Sequence, residues 1–174
     1  MSAKISATAV AVPEDRHAIF TQMGASAARL VAMDNLQDND AKLHELTVGI
    51  GQVAKVVTLP RARTGNLVRV AAFCMGWLEC MGESDPLARI HVERLHQEQL
   101  LRDGELLFRC SDAVINPKRK LRVLVEELGE VAEAIDALED IQAESRRQAL
   151  KSELVQVAAV AVAWLETPTS EGKV

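Results

Sequence analysis

The sequence predicts an all-α protein, and three observations carry that prediction. No useful length of the chain alternates polar and apolar residues with the period of two that a half-buried strand needs. Two stretches occur twice. KLHELTVGIGQVAKVV, from Lys42, aligns without gaps on KLRVLVEELGEVAEAI, from Lys120. NLVRVAAFCMGWLE, from Asn66, aligns likewise on ELVQVAAVAVAWLE, from Glu153. Finally, 48% of the residues are hydrophobic and none is Tyr, so the core is built from Ala, Val and Leu, small residues that suit closely packed helices. Each repeat alone is a helix pair whose apolar face needs cover, so residues 1–82 and 83–174 are expected to share one core. The expected architecture is a helical bundle of two tandem hairpin repeats related by a pseudo-two-fold axis, a pseudo-dimer within one chain.

The elements follow in order. Pro13-Glu14-Asp15 reads as a helix start, with Pro and acids in the first turn, and predicts a helix over 13–33. Asp34-Asn35 and Asp38-Asn39-Asp40 form a polar break, with Asp38 or Asp40 capping a second helix over 41–59. PRARTG, 60–65, is expected as a loop before a third helix over 66–81. Gly82-Glu83-Ser84-Asp85-Pro86 links the repeats; Asp85 is a cap and Pro86 the first residue of a fourth helix reaching about 101. Residues 102–116 are the least regular stretch and read as a surface loop. Pro117 opens a fifth helix to about 139, 140–145 breaks it, and the last helix covers about 146–166 before Pro168. The apolar run 155–165 is flanked by charge and only about three turns long, so it reads as a buried core helix and not a membrane span.

Charge narrows the function classes. The net charge is -5, and it is uneven: residues 1–82 carry 8 Lys and Arg against 7 Asp and Glu, residues 83–174 carry 12 against 18. No long basic run exists, so a nucleic-acid polymer is not an expected partner. Cys74, Cys80 and Cys110 form no CxxC pair, which suggests neither a disulfide framework nor a zinc knuckle and points to a reducing, cytoplasmic location. Cys74 and Cys80 read as small core residues, and Trp77 and Trp164, at matched positions, as core packing. The four His residues show no ligand spacing. The N-terminal stretch is too weakly apolar for a signal peptide.

The acids mark where chemistry belongs. Glu126, Glu127, Glu130 and Glu153 align on Val48, Gly49, Gln52 and Asn66, so a shared apolar frame carries carboxylates in one copy only. Glu126 and Glu130 are i,i+4 neighbours, Glu127 and Glu130 i,i+3 neighbours, while Leu124, Leu128, Val131 and Ile135 keep the opposite stripe apolar. Repulsion among these acids costs helix stability unless a cation answers it. Glu153 and Gln156 are again i,i+3, on the opening turns of the last helix. If the last two helices form an antiparallel hairpin, three or four oxygen ligands converge, a donor set that suits magnesium or manganese and leaves room for water and phosphate.

EELGEVAEAI followed after a loop by ELVQVAAVAVAWLE resembles the all-helical MazG-type nucleoside triphosphate pyrophosphohydrolases, whose signature is Glu-Glu-x-x-Glu, a variable loop, then Glu-x-x-Asp. The first part is complete at Glu126, Glu127 and Glu130; in the second, Glu153 is present and Gln156 stands where the family usually has Asp. The motif covers residues 120–166, and the duplication extends the fold analogy to most of the chain. The resemblance implies attack of water on the α-phosphorus of a nucleoside triphosphate, releasing monophosphate and pyrophosphate, with Mg²⁺ or Mn²⁺ held by Glu127, Glu130 and Glu153 and with Gln156 in the fourth place. A Gln there weakens the metal, alters the metal number or acts through water. Glu126 becomes a second-metal ligand or a water-orienting base. Lys120 and Lys151 are candidate phosphate contacts, although Lys42 at the Lys120 place of the first repeat fits a structural role equally well. Arg94 and Gln97 lie in the helix before the motif, where the family often places side chains that contact the base. Relatives pair two hairpins from different subunits; here the first repeat supplies the second hairpin, so a monomer or a further homodimer is expected. The alternative reading is a catalytically degenerate nucleotide-binding or helical interaction module, which Gln156 and the acid-free first repeat favour.

Overall fold

A computed structural model describes residues 14–30, 38–140 and 144–167, and among these every regular element is a helix. Helix α1 is Glu14–Leu30 and α2 is Asn39–Lys55, capped by Asp38, whose carboxylate accepts from the Asp40 amide at 3.2 Å. The predicted end of the first helix and the 34–35 break lie outside the described residues.

Helix α3, Pro60–Cys80, corrects one expectation: the stretch 60–65 is its opening turn and not a loop. Pro60 takes the first helical position, where its missing N–H costs nothing and its fixed φ favours the turn. Arg63 Nη1 donates to Val57 O at 2.8 Å, satisfying a carbonyl beyond the end of α2, and the connection shrinks to 56–59.

Helix α4, Pro86–Arg102, starts as expected, with Asp85 Oδ1 accepting from the Ala88 amide at 3.0 Å and Pro86 at the first position. Gly82 (φ 80°) and Gly104 (φ 78°) turn the chain out of α3 and α4 in the left-handed region that side chains disfavour. Helix α5, Pro117–Asp140, and α6, Glu144–Leu165, follow; positions 140, 144 and 145, expected in a break, are helical, and 141–143 lie outside the described residues.

Packing explains the composition. Helices α3 and α6 are apolar nearly all round, and Leu67–Leu78 and Leu154–Trp164 are almost continuously buried, so these two form the centre and pack most extensively on each other. Their Ala and Val residues let the backbones approach. Amphipathic α5 lies on α6 and α2 on α3, and α2 touches α5. Helix α1 covers α3 and α4 covers α6. Exchanging α1, α2 and α3 for α4, α5 and α6 leaves this set of contacts unchanged. Trp77 and Trp164 are core residues, as expected; Cys74 is buried, but Cys80 is exposed, because the last turn of α3 runs beyond its cover. No helix among the described residues is long and apolar enough to cross a membrane.

Candidate acidic site between two helices

The α5–α6 pairing brings together the acids that the sequence singles out. Glu127, Glu130 and Glu153 each present a carboxylate oxygen within 4.8 Å of the others. Of the three, Glu127 and Glu130 line a cavity of about 460 Å³ bounded by α4, α5, α6 and the 103–116 connection. Glu126 and Gln156 line the same cavity. Gln156 meets the cluster through its nitrogen: Nε2 donates to Glu153 Oε2 at 2.7 Å, so in this orientation it steadies a carboxylate and does not present an oxygen beside it.

Electrostatics agree with the crowding. Burial, and then the charges of Glu130, Glu153, Glu126 and Glu93, push the Glu127 carboxyl up to about 7. Burial and a hydrogen bond with Glu130 raise Glu153 as well. Glu127 Oε2 is buried with no hydrogen-bond partner. Three close carboxylates, one with an unanswered oxygen, fit a hard divalent cation better than they fit one another.

The predicted cations are elsewhere. Lys120 is 1% exposed, and its Nζ donates to Thr167 Oγ1 at 2.8 Å. Lys151 is buried with Nζ 3.9 Å from Glu83 Oε2. Neither borders the cavity. Burial depresses the Lys120 ammonium, which matches a structural position under the α6 terminus. Gln97 does line the cavity, whereas Arg94 lies behind it, 1% exposed, with Nη1 donating to Gln97 Oε1 at 2.7 Å.

Glu93, Phe108, Arg109 and Cys110, unexpected from the sequence, also stand on the cavity wall. Arg109 is held by Asp112, which accepts from the Arg109 amide at 2.8 Å and from its guanidinium at 2.9 and 3.0 Å. Arg119 covers one face of Phe108 at 4.2 Å. Burial pushes the Cys110 thiol up to about 11, so it acts as wall and not as nucleophile. The one signal for this wall was Arg109-x-x-Asp112, an i,i+3 pair in a stretch without periodicity.

The matched face of the first repeat offers no comparable set: Val48, Gly49, Gln52 and Asn66 carry no charge, and a Cβ at Gly49 would come 3.4 Å from Val70 Cγ2. Compared with known proteins, the chain matches no family model, no curated protein and no solved structure.

Proposed function

We propose that the protein is a divalent-metal-dependent nucleoside triphosphate pyrophosphohydrolase, turning a (d)NTP and water into a (d)NMP and pyrophosphate. The observation that carries this reading is the convergence of Glu127, Glu130 and Glu153 within 4.8 Å beside a cavity with both apolar and polar walls. The MazG-type motif and the exchangeable packing of the two three-helix sets support it, with the first set as scaffold. Glu127, Glu130 and Glu153 would hold Mg²⁺ or Mn²⁺. When bound, such a cation neutralises triphosphate charge and acidifies water. Glu126, exposed on the same helix face, accepts the proton as water oxygen bonds to the α-phosphorus and the bond from that phosphorus to the bridging oxygen breaks, with pyrophosphate leaving. Phe108 and the apolar wall offer a surface to a base, with Gln97 as the polar contact.

The test is release of monophosphate and pyrophosphate from a panel of (d)NTPs with Mg²⁺ or Mn²⁺, wild type against Glu127→Gln. Turnover in wild type that the substitution abolishes supports the proposal; a folded wild type without turnover sinks it. A second reading, nucleotide binding without turnover, is favoured by one observation: Gln156 donates to Glu153 where the family motif has an acid. Metal-dependent binding of the same nucleotides without product would establish that reading.

A further inference from the structure

The geometry points to Arg94 as a positioning residue that fixes the amide of Gln97 on the cavity wall, with Glu166 and Arg16 holding Arg94 in place; this rests on the nucleotide reading above. Gln97 is the polar side chain of α4 that faces the cavity beside Glu93. An amide on a helix surface ordinarily turns over freely, presenting either oxygen or nitrogen. Here both ends are engaged. Arg94 Nη1 donates to Gln97 Oε1 at 2.7 Å, and Gln97 Nε2 donates to Glu93 Oε1 at 3.3 Å. Since Arg94 has no acceptor to offer, the oxygen must face it and the nitrogen must face outward.

Arg94 is itself fixed. Its Nη2 donates to Glu166 Oε2 at 2.8 Å, while Glu166 Oε1 accepts from Arg16 Nε. Arg16 Nη2 donates to Glu98 Oε1 at 2.6 Å, and Arg16 Nη1 stands 3.2 Å from His91 Nδ1. Arg16 and Arg94 are both almost wholly buried, so neither guanidinium can swing to water without unpacking α1 or α4. A hydrogen-bonded line therefore runs from α1, through the end of α6, to the cavity wall. The wall then offers an N–H from Gln97 next to a carboxylate acceptor from Glu93. This pair is complementary to a heterocyclic base edge that sets an acceptor beside a donor, and it disfavours an edge that reverses them.

The experiment measures KM and kcat for ATP, GTP, CTP and UTP with Mn²⁺ in wild type, Gln97→Ala, Arg94→Lys and the double variant, each checked by thermal melting. Lysine keeps the charge but cannot reach both Gln97 and Glu166 as a fork does. Gln97→Ala is expected to raise KM for the preferred base about tenfold, with a smaller change in kcat and a several-fold loss of discrimination. Arg94→Lys should do the same, and the double variant should be no worse than either single one. Effects that multiply would show that Arg94 acts independently of Gln97 and would overturn the inference. Should Arg94→Lys fail to fold, Glu166→Gln, which loosens the anchor of Arg94, takes its place in the same cycle with Gln97→Ala; unchanged discrimination in either single variant overturns the inference, while turnover in wild type leaves the nucleotide reading standing. Absence of both turnover and nucleotide binding in wild type removes the two together.

Discussion

Gln156 Nε2 donates a 2.7 Å hydrogen bond to Glu153 Oε2, so a neutral amide steadies one of the three clustered carboxylates. The bond lowers the repulsion that a fourth carboxylate would add to Glu127, Glu130 and Glu153. A neutral amide here also leaves one negative charge fewer around any cation held by the three carboxylates. Replacing Gln156 by Asp should therefore strengthen Mn²⁺ binding by tenfold or more, about 1.4 kcal/mol or above. Titration calorimetry on both proteins checks this; equal affinities would mean that position 156 lies outside the metal's reach.

Glu127 links stability to pH. Its folded carboxyl titrates near 7, above the ordinary carboxylate value of 4.5, so between those limits the folded state holds more protons than the unfolded state. Without metal, its contribution should make the protein more stable as pH falls from 7 toward 4.5. Other groups oppose this. Burial and Arg16 depress His91 below 6.5, and its contribution declines on acidification. The difference between wild type and Glu127→Gln isolates this carboxyl's contribution: the variant should be more stable at pH 7.5 by about 1–2 kcal/mol, after discounting for the carboxyl's partial contact with water, and the two should converge toward pH 5. Denaturant melts across this range measure it.

Glu166 neutralises two guanidinium groups at once. Burial alone would raise its carboxyl, but its bonds to Arg16 and Arg94 outweigh that and hold it below the ordinary range. Its contribution is therefore present above about pH 4.5 and disappears as pH falls through the lowered value. Glu166→Ala leaves Arg16 and Arg94 buried with their shared acceptor gone and should cost about 3–5 kcal/mol in urea melts; Glu166→Gln should cost less.

Lys120 donates to Thr167 Oγ1, whose hydroxyl is also 3.2 Å from Cys110 O. Lys120→Met keeps the packing volume and removes a buried charge, while Thr167 retains its carbonyl. The expected stability change is within about 1.5 kcal/mol, and KM for a triphosphate should stay within about threefold. A tenfold rise in KM with normal melting would return Lys120 to the phosphate contacts.

The helix order and the acid cluster were legible because both obey local periodicity: Glu126, Glu127 and Glu130 share a face by spacing alone, and Glu153 follows from antiparallel pairing. Arg94 was legible only as a residue near the site. Its burial depends on Glu166, 72 residues away, and Glu166 in turn meets Arg16 across 150 residues, separations that no window on the sequence spans. The start of α3 was misread because PRARTG has a loop's composition, yet Pro60 at the first helical position is an initiator. Phe108, Arg109 and Cys110 stayed hidden because an aperiodic connection carries no signal of which side chains turn inward.

The contact set that survives exchange of α1–α3 for α4–α6 belongs to one polypeptide. In a symmetric pair of identical chains, every substitution is made twice, and a carboxylate gained or lost changes both faces together. Here each half mutates alone. The half built around Val48, Gly49, Gln52 and Asn66 is free of the need to hold charge, and the other keeps its acids without the first having to tolerate them. The expected stoichiometry is one cation site per chain, saturating without cooperativity between halves.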